Sequence, residues 1–148
     1  MADLTVTLTE DVIVNGHQYG GTKSFIVSGI NEVYRRKVTC PNGHSTTIAT
    51  FAASVRTSAN AIAVAEAKYI RVTNIGSAAV ELAVVGAATL YQVTLSAGQS
   101  HVLGGPDDLM LAEADTSPSF GTMADIASLQ IQPVGSDPID IEVLVASV

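Results

Sequence analysis

The chain predicts an all-β fold: a single antiparallel β-sandwich, jelly-roll-like, with about eight to ten strands and little helix. Short runs rich in Val, Ile and Thr recur along its whole length, separated by turns built on Gly, Asn and Ser. Several runs alternate apolar and polar residues with a period of two. Residues 58–68 (SANAIAVAEAK) are Ala-rich, with a possible helix cap at Ser58, yet they show no apolar face of helical period. Ile62 and Val64 alternate with Ala there, which favours a strand. The 148 residues form one domain, 1–148. A domain of this size buries about two-thirds of its unfolded surface, enough for a core without a disulfide or metal.

Residues 3–16 place Leu4, Val6 and Leu8 on one strand face and Thr5, Thr7 and Thr9 on the other. Glu10-Asp11 interrupts before Val12-Ile13-Val14 resumes, so the segment is one bulged strand or two strands. Asn15-Gly16 ends it with the residue pair that a type I′ turn favours. Residues 17–22 (HQYGGT) read as a Gly-rich loop without the Lys-Ser/Thr of a phosphate-binding loop. Residues 23–39 read as strand, kinked at Ser28-Gly29, and carry Arg35-Arg36-Lys37. Strand alternation sends Arg35 and Lys37 to one face and Arg36 to the other. This triplet either meets carboxylates of a neighbouring subunit or guards an edge strand against stray pairing.

Cys40-Pro41-Asn42-Gly43-His44 resembles half of a zinc knuckle, but a structural zinc needs four ligands and no second pair is spaced to supply them. A Pro-Asn-Gly turn explains the same residues. Residues 45–54 form a further strand anchored by Ile48 and Phe51. Residues 69–105 contain four apolar runs, 69–75, 80–85, 90–95 and 101–103, which make the central strands, with Tyr69, Val72 and Leu82 in the core. After Gly104-Gly105-Pro106, the carboxylates Asp107, Asp108, Glu113 and Asp115 read as a solvated acidic loop and match no calcium-binding hand. Residues 123–126 read as a short helical turn. Residues 129–134 and 139–145 close the fold, with Ile139, Ile141, Val143 and Val145 on one face.

Charge is sparse and uneven. Lys, Arg, Asp and Glu make up 14% of the chain, against a usual level of about a quarter. Either other subunits cover part of the exterior, or hydroxyls replace charges on it. All seven cations lie in the first 71 positions, which also hold five carboxylates; the remaining nine carboxylates follow with no cation among them. That division guides docking of unlike surfaces, unless folding interleaves the halves. Arg71, the last cation on a central strand, is expected to pair with a carboxylate of the acidic half. The balance argues against nucleic-acid binding, which needs a basic face. The first residues carry no signal-peptide pattern, and no apolar run approaches the roughly 18 residues of a membrane span.

Catalytic motifs are lacking in the sequence. There is no G-x-S-x-G elbow, and the three histidines, His17, His44 and His101, are not clustered as in a metal-dependent double-sheet enzyme. No pair of carboxylates stands out for glycosidic chemistry. There is no Trp to offer a sugar-stacking platform. The expectation is therefore no enzyme, no catalytic residues, no metal and no cofactor.

The segments LTVTLTEDVIVNG, YIRVTNIGSAAVELAV, VTLSAGQSHVLGG and SLQIQPVGSDPIDIEVLVASV span most of the chain. In them it resembles small structural proteins of tailed-bacteriophage virions, particularly β-sandwich capsid cement or decoration proteins. The resemblance implies a non-enzymatic virion protein, made in the host cytoplasm, that assembles on the capsid surface. Such a protein is commonly a homotrimer clamping major capsid protein or other virion subunits. Tail, neck and baseplate parts and receptor- or carbohydrate-binding modules share the pattern, and a metal-dependent β-sandwich enzyme is a more distant alternative. The contact segments expected are residues 3–9, with Asp3, Thr5 and Thr7, and the triplet Arg35, Arg36 and Lys37.

Overall fold

Alternation sets the strands, and their inward residues make the core. The computed structural model describes residues 1–54, 61–87, 89–105 and 123–148. None of these is helical, and they form thirteen strands. The chain opens with β1 (Ala2–Thr9), β2 (Ile13–Val14), β3 (His17–Gln18), β4 (Thr22–Ile30) and β5 (Glu32–Cys40). Next come β6 (Thr46–Ala52), β7 (Ile62–Ala63), β8 (Ala67–Asn74) and β9 (Val80–Gly86). The last are β10 (Leu90–Leu95), β11 (Ser100–Leu103), β12 (Ile126–Pro133) and β13 (Ile139–Ser147).

Two sheets carry the fold, one ordered β10-β9-β12-β6-β7 and the other β11-β8-β13-β5. All pairings are antiparallel except β6 with β7. Ile70, Val72, Ile141, Val143 and Val145 of the four-stranded sheet form one cluster with Leu82, Val84, Leu129 and Ile131 of the other. Each of those side chains is essentially buried. This is face-to-face packing of two sheets, as in a sandwich. Strand β13 shows the pattern at its clearest: Ile139, Ile141, Val143 and Val145 are buried, while Asp140, Glu142 and Leu144 on the other face are half-buried.

The central block divides between the sheets. Strands β8 and β9 are consecutive in sequence but sit in opposite layers, each between two neighbours, while β10 and β11 lie at edges. Val72 and Leu82 are core residues; Tyr69 is also buried, but in a smaller cluster on the outer face with Ile30 and Ala146.

Two local expectations need correction, and a third, the strand over residues 58–68, is met only in part. Residues 17–22 are not all loop, because His17 and Gln18 pair with Val14 and Ile13 across the turn. Asn15 and Gly16 there have φ of 52° and 79°, the positive pair that a type I′ turn requires. Residues 123–126 form no helical turn; Ile126 starts β12 and is buried. Within 58–68, the described part is the short β7, then a turn in which the Glu66 amide donates to the Ala63 carbonyl, and then β8. The possible cap at Ser58, Arg56 and the acidic run of Asp107, Asp108, Glu113 and Asp115 lie outside the described residues.

Strands β1 to β4 form a separate arm. β1 pairs only with β4, and β2 with β3, so residues 2–30 make one long hairpin closed at Asn15-Gly16. The Glu10 amide donates to the Gly21 carbonyl and the Tyr19 amide to Val12, which carries the pairing across the Glu10-Asp11 break. Gly20 permits the close approach there, since a Cβ would collide with the Glu10 carbonyl oxygen. The expected kink is a bulge: Ala2 faces Ile30, Leu4 faces Val27, and Gly29 takes a φ of 81°.

Candidate functional site

The arm and the outer face of the four-stranded sheet hold most of the residues singled out from sequence. Leu4, Val6 and Val27 of the arm pack onto Tyr69, Leu144 and Ala146, fixing its base to the sheet. Beyond that contact the arm's side chains are exposed. Leu8 is 61% exposed, Ile13 69%, Tyr19 69% and Phe25 51%. Leu8 and Phe25 continue the apolar underside, because directly paired residues share a face: Leu4 with Val27, Val6 with Phe25, Leu8 with Lys23. The upper face is a hydroxyl ladder. There Thr7 Oγ1 lies 3.0 Å from Ser24 Oγ and Thr9 Oγ1 3.4 Å from Thr22 Oγ1. Asp3 accepts from the Gly29 amide at 3.4 Å, and Thr5 is exposed.

Under the raised part of the arm is a groove of about 450 Å³. Leu4, Val6, Leu8 and Phe25 form its upper wall, and Tyr69, Val102, Leu144 and Arg71 its floor. The Phe25 and Tyr69 rings stand 6.4 Å apart, centre to centre.

Next to the groove lies a charge ladder. Glu142 on β13 receives arginines from both flanking strands, Arg35 Nη2 at 2.5 Å and Arg71 Nη2 at 2.6 Å. Lys37 Nζ lies 2.7 Å from Asp140, whose other oxygen accepts from Thr39 at 2.6 Å. Register explains the geometry: Arg35 is directly opposite Leu144 and Lys37 opposite Glu142, so each cation reaches the diagonal carboxylate. The pairing expected for Arg71 is present. Folding therefore interleaves the basic and acidic halves on this face, and cations from β5 and β8 meet carboxylates from β13. The hydrogen bond from Arg35, reinforced by that from Arg71, holds the Glu142 carboxyl below its usual range. The bonds from Lys37 and Thr39 do the same for Asp140.

Both carboxylates thus stabilise the fold above the usual carboxylate range, and the contribution is lost as pH falls through their lowered values. Urea midpoints measured down an acid series are expected to drop for the wild type. Glu142→Gln removes one of these contributions, so its curve should start lower at neutral pH and fall less on acidification. Parallel curves for the two proteins would contradict this.

Arg36 faces the other way. It shares the inner side of β5 with Tyr34 and Val38, which pack against the core, yet it remains exposed. The strand is a sheet edge, and Arg36 lies with Glu32, Tyr34, Ile62 and Glu66 around an open seam of about 320 Å³ between the sheets. An inward-facing charge at an edge hinders pairing with a stray strand. At the opposite seam, Tyr91 Oη lies 3.1 Å from His101 Nε2, linking edge strands of the two layers. Burial lowers the His101 pKa and raises that of Tyr91.

The structure brings Arg35 and Lys37 onto the face over which the arm lies, and puts Asp3, Thr5 and Thr7 on the arm itself. It does not bring Arg36 to that face. Cys40 is a free, buried thiol whose pKa burial raises, while His44 is exposed in the turn after it. No three His, Cys, Asp or Glu side chains gather as a metal-binding group among the described residues. No described helix is long and apolar enough to cross a membrane.

Sequence reading missed Asn74, which is fully buried. Its Nδ2 donates to the carbonyls of Ala78 at 2.8 Å and Leu95 at 2.9 Å, and its Oδ1 accepts from the Gly76 amide at 3.0 Å. Leu95 belongs to the opposite sheet, so one amide joins the two layers. The only signal in sequence is Asn two residues before Gly, the spacing of an Asx turn. Comparison with family models, curated proteins and solved structures finds no match.

Proposed function

We propose that this protein is a non-enzymatic structural component of a tailed-bacteriophage virion, a cement or decoration protein that binds and stabilises the assembled capsid. The observation that carries the reading is the arm: a long hairpin whose apolar side chains beyond its base are left exposed by its own sandwich. Contiguous exposed apolar surface marks a place where another molecule binds. A rigid body with a projecting adhesive hairpin suits a clamp, which gains strength from several modest contacts made at once. We further read the sandwich as a jelly roll, on the strand order β5-β13-β8-β11 against β6-β12-β9-β10. Major capsid protein is the proposed partner and the homotrimer the proposed form. The outer surface of the capsid is the proposed location.

The reading predicts that purified protein co-sediments with empty capsids of the phage that encodes it, and that decorated particles survive a heat challenge that bare ones do not. Particles that retain no protein and gain no heat resistance would overturn it.

A further inference from the structure

The arm supplies an exposed tip and, on the same chain, a groove whose chemistry matches that tip. Arg71 on the groove floor and Arg35 beside the groove share the single carboxylate of Glu142, so the cluster keeps an uncompensated positive charge. Arg71 Nε is buried and has no acceptor among the described residues, while the side chain as a whole is still 35% exposed. The rest of the groove is largely apolar. Its matching occupant is an extended apolar segment preceded by carboxylates.

The arm tip has that composition. Glu10-Asp11 is followed by Val12, Ile13 and Val14, all exposed, with Tyr19 exposed beside them. A chain cannot fill its own groove this way. The tip continues the ribbon that forms the groove's upper wall, and backbone pairing from Thr9 through Val12 to the Asn15-Gly16 turn keeps that ribbon extended.

We propose that the arm tip of one copy docks in the groove beneath the arm of a second copy. Its apolar residues lie against Leu8, Phe25 and Val102, and its Glu10-Asp11 carboxylates face Arg71. Each copy offers both halves, so the contact closes either as a reciprocal pair or as a head-to-tail ring. The incoming carboxylate completes the charge balance of the Arg35–Glu142–Arg71 cluster, and the apolar burial supplies most of the attraction.

The test is the solution mass of the full-length protein over a concentration series, by sedimentation or light scattering, with no capsid present. Wild type is expected to be oligomeric. Ile13→Glu, which spoils the tip, and Leu8→Asp, which repels it from the groove, are each expected to be monomeric. Both sites are exposed, so circular dichroism should show the wild-type fold. Ser24→Asp, on the opposite face of the arm and outside the groove lining, is expected to keep the wild-type mass. Mixing the Ile13→Glu and Leu8→Asp proteins pairs an intact groove with an intact tip and should restore a complex that neither forms alone. A monomeric wild type, variants that keep its mass, or a mixture that stays monomeric would overturn the proposal. So would loss of the oligomer in Ser24→Asp, which would place the contact on the hydroxyl face. Capsid binding plays no part in this measurement, so its result is separable from the virion reading.

Discussion

Replacing Asn74 with alanine is expected to lower the free energy of unfolding by about 3 kcal/mol. The buried amide makes three hydrogen bonds, and its removal leaves the Ala78 and Leu95 carbonyls and the Gly76 amide without it. An unsatisfied buried group loses its hydration as well as its partner, so the cost exceeds that of an ordinary surface bond. The β8 backbone is tied to the same place, because the Asn74 amide donates to the Gln99 carbonyl and the Asn74 carbonyl accepts from Gly98. Asn74→Asp tests the mechanism further. It keeps the shape but turns the donor nitrogen into an oxygen facing two carbonyls, so its loss should match or exceed that of alanine at neutral pH. Urea denaturation of the three proteins checks this. An Asn74→Asp protein as stable as wild type would show that the bonds do not matter.

Leu82→Ala is expected to cost about 3–4 kcal/mol, within the range for truncating a buried leucine. Leu82 is fully buried and sits between Val93 and Ile131 on the two strands flanking β9. Its neighbours belong to paired strands that cannot collapse freely into the space, so a cavity penalty adds to the lost transfer energy. Ile26→Ala is the internal comparison. That side chain, on the arm face away from the groove, is 63% exposed, and its truncation is expected to change stability by no more than about 0.5 kcal/mol. Similar losses at the two sites would contradict the division between a packed sandwich and an exposed arm.

That division was only half legible in the sequence. Alternation in β13 and β1 identified the inward residues, because a period of two requires only one buried face. It also sorted Arg36 from Arg35 and Lys37. The pairing of Arg71 was legible because a cation on a central strand needs a counter-charge, and only carboxylates follow it along the chain. Strand partners were not legible. β8 and β9 look like a hairpin but enter opposite sheets, since alternation specifies a face and not a neighbour. Val12-Ile13-Val14 reads as strand, yet its exposure at the arm tip was not legible, because a strand pattern does not say what covers it. Asn74 escaped notice because Asn before Gly reads the same in a surface turn as in a buried one. His17-Gln18 looked like loop because Gly-rich sequence hides a two-residue pairing.

In the proposed function the arm is the adhesive element and the sandwich its rigid support. Amide hydrogen exchange, compared between free protein diluted until it is monomeric and protein bound to assembled capsids, tests this most directly. Slow exchange in β8, β9, β12 and β13 is predicted in both states, with new protection on binding concentrated in residues 8–26. New protection confined to the sandwich edges, with the arm exchanging as fast bound as free, would contradict it.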